Sequence, residues 1–193
     1  MTQDYLGLPL QEFLREVASP EPMPGAGYCA AISLAMAAGL VAMAAGASRG
    51  EWGEAKGAAA QATTLRERVA PLAQRNVQAY ADAVARLRGA GDGGGQGDDL
   101  GLLLERAARI PLEIAEAAVD VASLAAVVAE RGEQALRADA VAGALLAQGA
   151  ARAAATLVEV NLGTTSTDER VKRARDLAGT AAAAADRALA TLA

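Results

Sequence analysis

Asp139 is the residue whose type and setting most invite chemistry. It stands near the start of ADAVAGALLAQGAARAAA, a mostly apolar segment. A carboxylate there has two physical readings. It is a plain N-terminal helix residue stabilised by the helix dipole, or it lies in a partly buried cleft, steadies a cationic substrate and moves protons. The loop PMPGAG, residues 22–27, offers backbone chemistry instead. Its N–H groups near a helix start can bind a carboxylate or phosphate, or the loop is only a turn into a helix. It is no Walker loop, because no Gly-Lys-Ser/Thr follows. Asn161, after VEV, is either a left-handed helix cap or an amide that recognises a heterocycle. Tyr28 and Trp52 can stack on an aromatic ligand or simply pack. Cys29 reads as a small core residue rather than a nucleophile, since histidine is absent from the chain. That absence also removes the commonest zinc ligand and every Ser-His arrangement. Glu12, Glu16, Glu113 and Glu116 read as solvated helix faces.

Composition bounds the remainder. The 193 residues predict one domain over 1–193. Hydrophobic residues make up 53% and aromatics 3%, which favours alanine-rich helices over strands. A net charge of −5 with no concentrated Lys or Arg argues against nucleic-acid binding. The lone Cys29 allows no internal disulfide and fits a reducing cytoplasm. MTQDYLGLPL lacks the basic-then-apolar pattern of a secretory signal. The uncharged run from Pro22 to Ser48 is long enough to span a bilayer. It is mostly Ala and Gly, however, with no flanking cluster of Lys or Arg, so a helix buried on all sides within a soluble bundle is the preferred reading.

The elements that would position these residues follow from periodicity. Leu10, Phe13, Leu14 and Val17 predict a short amphipathic helix. The small-residue helix runs from about Tyr28 to Ala47, and a long one from Glu54 to Arg88, with Pro71 expected to kink or split it. Residues 89–99, GAGDGGGQGDD, predict a flexible loop, with Asp98 or Asp99 capping a helix from Leu100. Pro111 is expected to open a further helix that closes at Gly132. Another helix is expected from Ala138 to Val160, ending at Asn161 to Gly163. Ser166 to Glu169 predict a capping box for the last one. The fold class is all-α, a bundle of five to six helices. Its small-residue ridges and scarce aromatics favour a homodimer.

Taken in order, these segments resemble the formiminotransferase-cyclodeaminase C-terminal family. PEPMPGAGYCAAISLAMAAGLVAMAAGAS is similar to its Pro-x-Pro-Gly-Gly-Gly-Ser turn and small-residue helix, with the Leu-x-x-Met ending at Leu40 to Met43. NVQAY at Asn76 to Tyr80, IPLEIAE at Ile110 to Glu116, ADAVAGALLAQGA at Ala138 to Ala150 and VEVNL at Val158 to Leu162 resemble further family elements. The resemblance implies an all-α dimer that binds a tetrahydrofolate derivative as substrate and needs no metal. It implies chemistry at the carbon bridging N5 and N10, by methenyltetrahydrofolate hydrolysis or formiminotetrahydrofolate cyclodeamination. Asp139 would be catalytic, with Pro24, Gly25, Gly27, Tyr28 and Asn161 binding the substrate. The chain departs from the family pattern at Ala26, Tyr28, Cys29, Asn76 and Ala138. A degenerate member that serves as a folate- or heterocycle-binding module, or as a helical dimerisation module, is the alternative.

Overall fold

The computed structural model describes all residues except 1–3, 22, 49, 51, 90–95 and 164–166, and all side chains among these except those of 86–89 and 96–103. Its elements are α1 (Leu10–Val17), α2 (Ala26–Ala47), α3 (Ala55–Gly89), α4 (Gln96–Arg131), a single 3-10 turn (Gln134–Leu136), α5 (Arg137–Leu162) and α6 (Glu169–Ala190). No strand occurs among the described residues. The all-α expectation holds.

Alanine explains both the helices and their closeness. It has the best intrinsic helix propensity and loses no side-chain entropy on burial. Most of the buried core is alanine, keyed by a few larger residues such as Leu34, Val41, Ile114 and Val158. Small side chains let helix backbones meet. A Cβ on Gly143 of α5 would stand 3.0 Å from Val41 Cγ2 and 3.2 Å from the Ala37 carbonyl oxygen of α2.

Contacts between helices fix their directions. Arg68–Asp120 at 2.7 Å and Arg75–Glu113 at 2.9 Å set α3 antiparallel to α4. Arg173–Glu116 at 2.6 Å and Arg187–Glu130 at 3.1 Å run α6 parallel to α4. These pairs are about half exposed and add little stability; they mark register. Ser48 meets Glu133 while Gly143 meets Ala37 and Val41, so α5 runs antiparallel to α2.

Several boundaries differ from expectation. α3 continues through Pro71 and α4 through Pro111, so neither proline starts or splits a helix. Pro71 is exposed, where water can serve the carbonyl it frees, and Pro111 is buried in the packed interface. α4 begins at Gln96 rather than Leu100, while most of the glycine-rich segment, residues 90–95, lies outside the described residues. Ser166 of the expected capping box is also outside them. The observed cap of α6 is Asp168, whose Oδ1 accepts the Arg170 N–H at 2.8 Å. α2 is not buried on all sides. Met36 and Met43 are 54% and 47% exposed, and Cβ positions on Gly39 and Gly46 would meet nothing within 4 Å. By length and composition, α2 and the stretch Gln134–Leu162 could each cross a membrane, yet about half of each is buried inside the bundle.

Ser48 is fully buried at the end of α2. Its hydroxyl donates to the Ala44 carbonyl and accepts the Glu133 N–H, each at 2.7 Å, tying α2 to the turn before α5. Ser48→Ala strands that N–H away from water. The expected cost is about 1–3 kcal/mol, read by urea unfolding; an unchanged midpoint would show that the tie adds nothing.

Candidate functional site

The glycine turn sits at the N-terminus of α2. Pro24 is buried, the Met23–Pro24 bond is cis, and Gly25 is the N-cap in extended backbone. The Gly25 carbonyl accepts the Tyr28 and Cys29 N–H groups at 3.1 and 3.2 Å. The preceding N–H groups of a helix have no intrahelical acceptor. No acidic residue lies in this first turn, so no protein carboxylate there competes for its partial positive charge. Gly27 is required for packing: a Cβ there would overlap Asn76 of α3, at 2.6 Å from its Cγ. Asn76 therefore flanks the turn, and the structure brings together two segments that the sequence showed only in order.

Tyr28 does not present an open stacking face. It is 1% exposed, edge-on to Tyr5 with ring centroids 5.6 Å apart and tilted against Phe13 at 5.4 Å. Its hydroxyl has no hydrogen-bond partner among the described residues. Burial, then the nearby Asp4 carboxylate, pushes its pKa up to about 12. Cys29, half-buried, is likewise pushed up by desolvation, the opposite of what a nucleophilic thiol needs.

Asp139 is half-buried in the first turn of α5, and Asn161 is half-buried in the last. Asn161 is helical; the residue with positive φ is Gly163, at 82°, just beyond the helix. The antiparallel register sets Asn161 at the glycine-turn end of the bundle and Asp139 beside the C-terminal half of α2. At the helical rise, the glycine turn and Asp139 of one chain are roughly 20 Å or more apart. One chain therefore gathers Pro24, Gly25, Gly27, Asn76 and Asn161 at one end and leaves Asp139 at the other.

Sequence reading did not find a cavity of about 550 Å³ between the start of α3 and the C-terminal half of α4. Its lining includes Trp52, Glu54, Gln61, Asp120, Ser123 and Leu124. Trp52 Nε1 donates to Glu54 Oε2 at 3.1 Å, Arg131 also reaches Glu54, and Arg68 pairs with Asp120, so both carboxylates are partly neutralised. These residues come from segments some sixty positions apart in sequence, and no local spacing signals their meeting. No group of three or more metal-ligating side chains occurs among the described residues.

The profile of the Formiminotransferase-cyclodeaminase family matches residues 9–180, and the chain belongs to that family. Among solved structures it is similar to the formiminotetrahydrofolate cyclodeaminase of Thermotoga maritima, with a TM-score of 0.85 and 22% identity over 98% of each chain. At that identity the likeness shows the fold. No curated protein matches it.

Two predictions follow from the packing of the turn. Gly27→Ala should destabilise the protein by about 1–3 kcal/mol through overpacking. Adding Asn76→Ala should recover most of that loss in a thermal double-mutant cycle, whereas additive losses would contradict the contact. Tyr28 should remain neutral long after an ordinary phenol ionises. An acid whose folded pKa lies above its unfolded value contributes stability that is complete below about pH 10. That contribution disappears as pH rises through about 12. Alkaline titration of phenolate absorbance should show a late step that Tyr28→Phe removes.

Proposed function

We propose that the protein is a folate one-carbon enzyme acting at the carbon that bridges N5 and N10, and that it works as a homodimer. The observation carrying this reading is family membership over residues 9–180, joined to a glycine turn whose helix N-terminus is free of protein carboxylates. In hydrolysis, water adds to the methenyl carbon and loses a proton; the N5–C bond then breaks as N5 takes a proton, giving the 10-formyl compound. In cyclodeamination, N10 attacks the formimino carbon and ammonia departs, giving the methenyl cation. Both routes pass through a tetrahedral carbon flanked by nitrogen. Both gain from a carboxylate that carries a proton and offsets a delocalised cation. Asp139 takes that role. Pro24, Gly25 and Gly27 position the folate, the Asn161 amide addresses its heterocycle, and Tyr28 contributes its hydroxyl rather than its ring face.

The separation of Asp139 from the glycine turn is what makes the dimer part of the mechanism. α2 exposes Met36 and Met43 on either side of Gly39, a surface that allows a second α2 to come close. A two-fold axis crossing the middle of α2 reverses the partner helix. The Asp139 end of one protomer then lies beside the glycine turn of the other.

A binding module without turnover is the second reading, favoured by the covered ring of Tyr28 and by an amide, Asn76, beside the turn. Absorbance decay of 5,10-methenyltetrahydrofolate, and its formation from the formimino compound, separates the readings and the two reactions. The enzyme reading expects turnover that falls at least a hundredfold in Asp139→Ala, the size of a general acid–base contribution. Mixing Asp139→Ala with Asn161→Ala protomers should restore roughly a quarter of wild-type activity, the statistical share of intact shared sites. An inactive mixture of active-capable dimers would refute the shared site, and equal decay with and without Asp139 would refute the enzyme.

A further inference from the structure

We infer that the cleft between the N-terminal arm, residues 4–17, and the start of α2 is a binding site for a small, planar, uncharged ring carrying one hydrogen-bond acceptor. This inference stands whether or not the protein turns over folate.

The cleft holds about 160 Å³ and is lined by Leu6, Leu8, Leu10 and Phe13 of the arm, Ile32 of α2, and the two tyrosines Tyr5 and Tyr28. An apolar cavity of roughly 150 Å³ is large enough for one benzene ring. The single polar function buried at its wall is the Tyr28 hydroxyl, on a residue 1% exposed and without a partner among the described residues. A buried hydroxyl left unsatisfied costs free energy, and a ligand acceptor would recover it. The phenol stays protonated through the physiological range, so it serves as a donor.

Charge selects the ligand further. The lining offers no cationic side chain, and Asp4, whose carboxylate acts on the Tyr28 phenol, disfavours an anion. An aromatic carboxamide fits; the corresponding carboxylate does not. The arm is also the movable wall. Among the described residues, no hydrogen bond or ion pair ties it to the rest of the bundle, and it is held by the rings of Tyr5 and Phe13 against Tyr28. Leu6, Leu10, Leu14 and Val17 remain exposed on its outer side. Entry therefore requires parting of aromatic contacts alone.

The test titrates benzamide, with benzoate as control, into the full chain by calorimetry or ligand-observed NMR, and repeats both with Tyr28→Phe. Benzamide should bind saturably and more tightly than benzoate. Tyr28→Phe should weaken benzamide about fivefold, the loss of one hydrogen bond. The same variant should keep or raise the melting temperature, because it removes an unpartnered hydroxyl. The inference is overturned by absent benzamide binding, by equal affinity in Tyr28→Phe, or by a lowered melting temperature that reveals a hydroxyl already partnered.

Discussion

The fold depends on helices approaching at backbone distance. Burying an alanine removes only a small apolar area from water, so an alanine core gains little per residue from the hydrophobic effect. What it gains comes from dense contact at low entropic cost. Gly143 against the Ala37 carbonyl is the clearest instance, since no other residue lets α5 lie so near α2. The tie from Ser48 to Glu133 and the contact of Gly27 with Asn76 extend the same seam to its two ends. A core packed in this way has no slack for a ligand between its helices. The two cavities that matter here open at the margins, one beside Trp52 and one under the N-terminal arm.

That architecture also dictates where chemistry can happen. α2, α3, α4 and α5 are long rods running alternately up and down, so residues at opposite ends stay apart by a helix length. Pro24, Gly25, Gly27, Asn76 and Asn161 collect at one end because α2 and α3 run antiparallel, as do α2 and α5. Asp139 is carried to the other end by the same rule. A reaction that uses both groups needs a second copy of the chain. The open face of α2, with its bare Gly39 and Gly46 and its exposed methionines, is where backbone approach remains possible.

Most helices were legible from periodicity and punctuation, because α1, α2, α5 and α6 begin or end near Pro, Gly or Asp signals. The errors have one cause. Pro71 and Pro111 carry strong local breaking preferences, yet the surrounding bundle holds α3 and α4 continuous. The sequence marked the glycine turn and NVQAY as separate segments; only packing puts Asn76 against Gly27. Covering of Tyr28 was equally hidden, since Tyr5 and Phe13 belong to an arm whose amphipathic pattern gives no hint of which face docks. The distance from Asp139 to the turn emerges only once helix directions are known.

Tyr28 occupies a position where the resembled pattern has a small residue, and its energetics explain the arm. Each aromatic pair contributes about 0.5–1.5 kcal/mol beyond burial. The ring meets two partners, Tyr5 and Phe13. An unsatisfied buried hydroxyl costs about 1–3 kcal/mol, which offsets much of that gain. The arm is thus docked with little net stabilisation from the very side chain that anchors it. A phenylalanine at this position would keep the packing and remove the penalty, fastening the arm more firmly. Retaining the hydroxyl keeps the arm marginally held and leaves a donor for whatever displaces it.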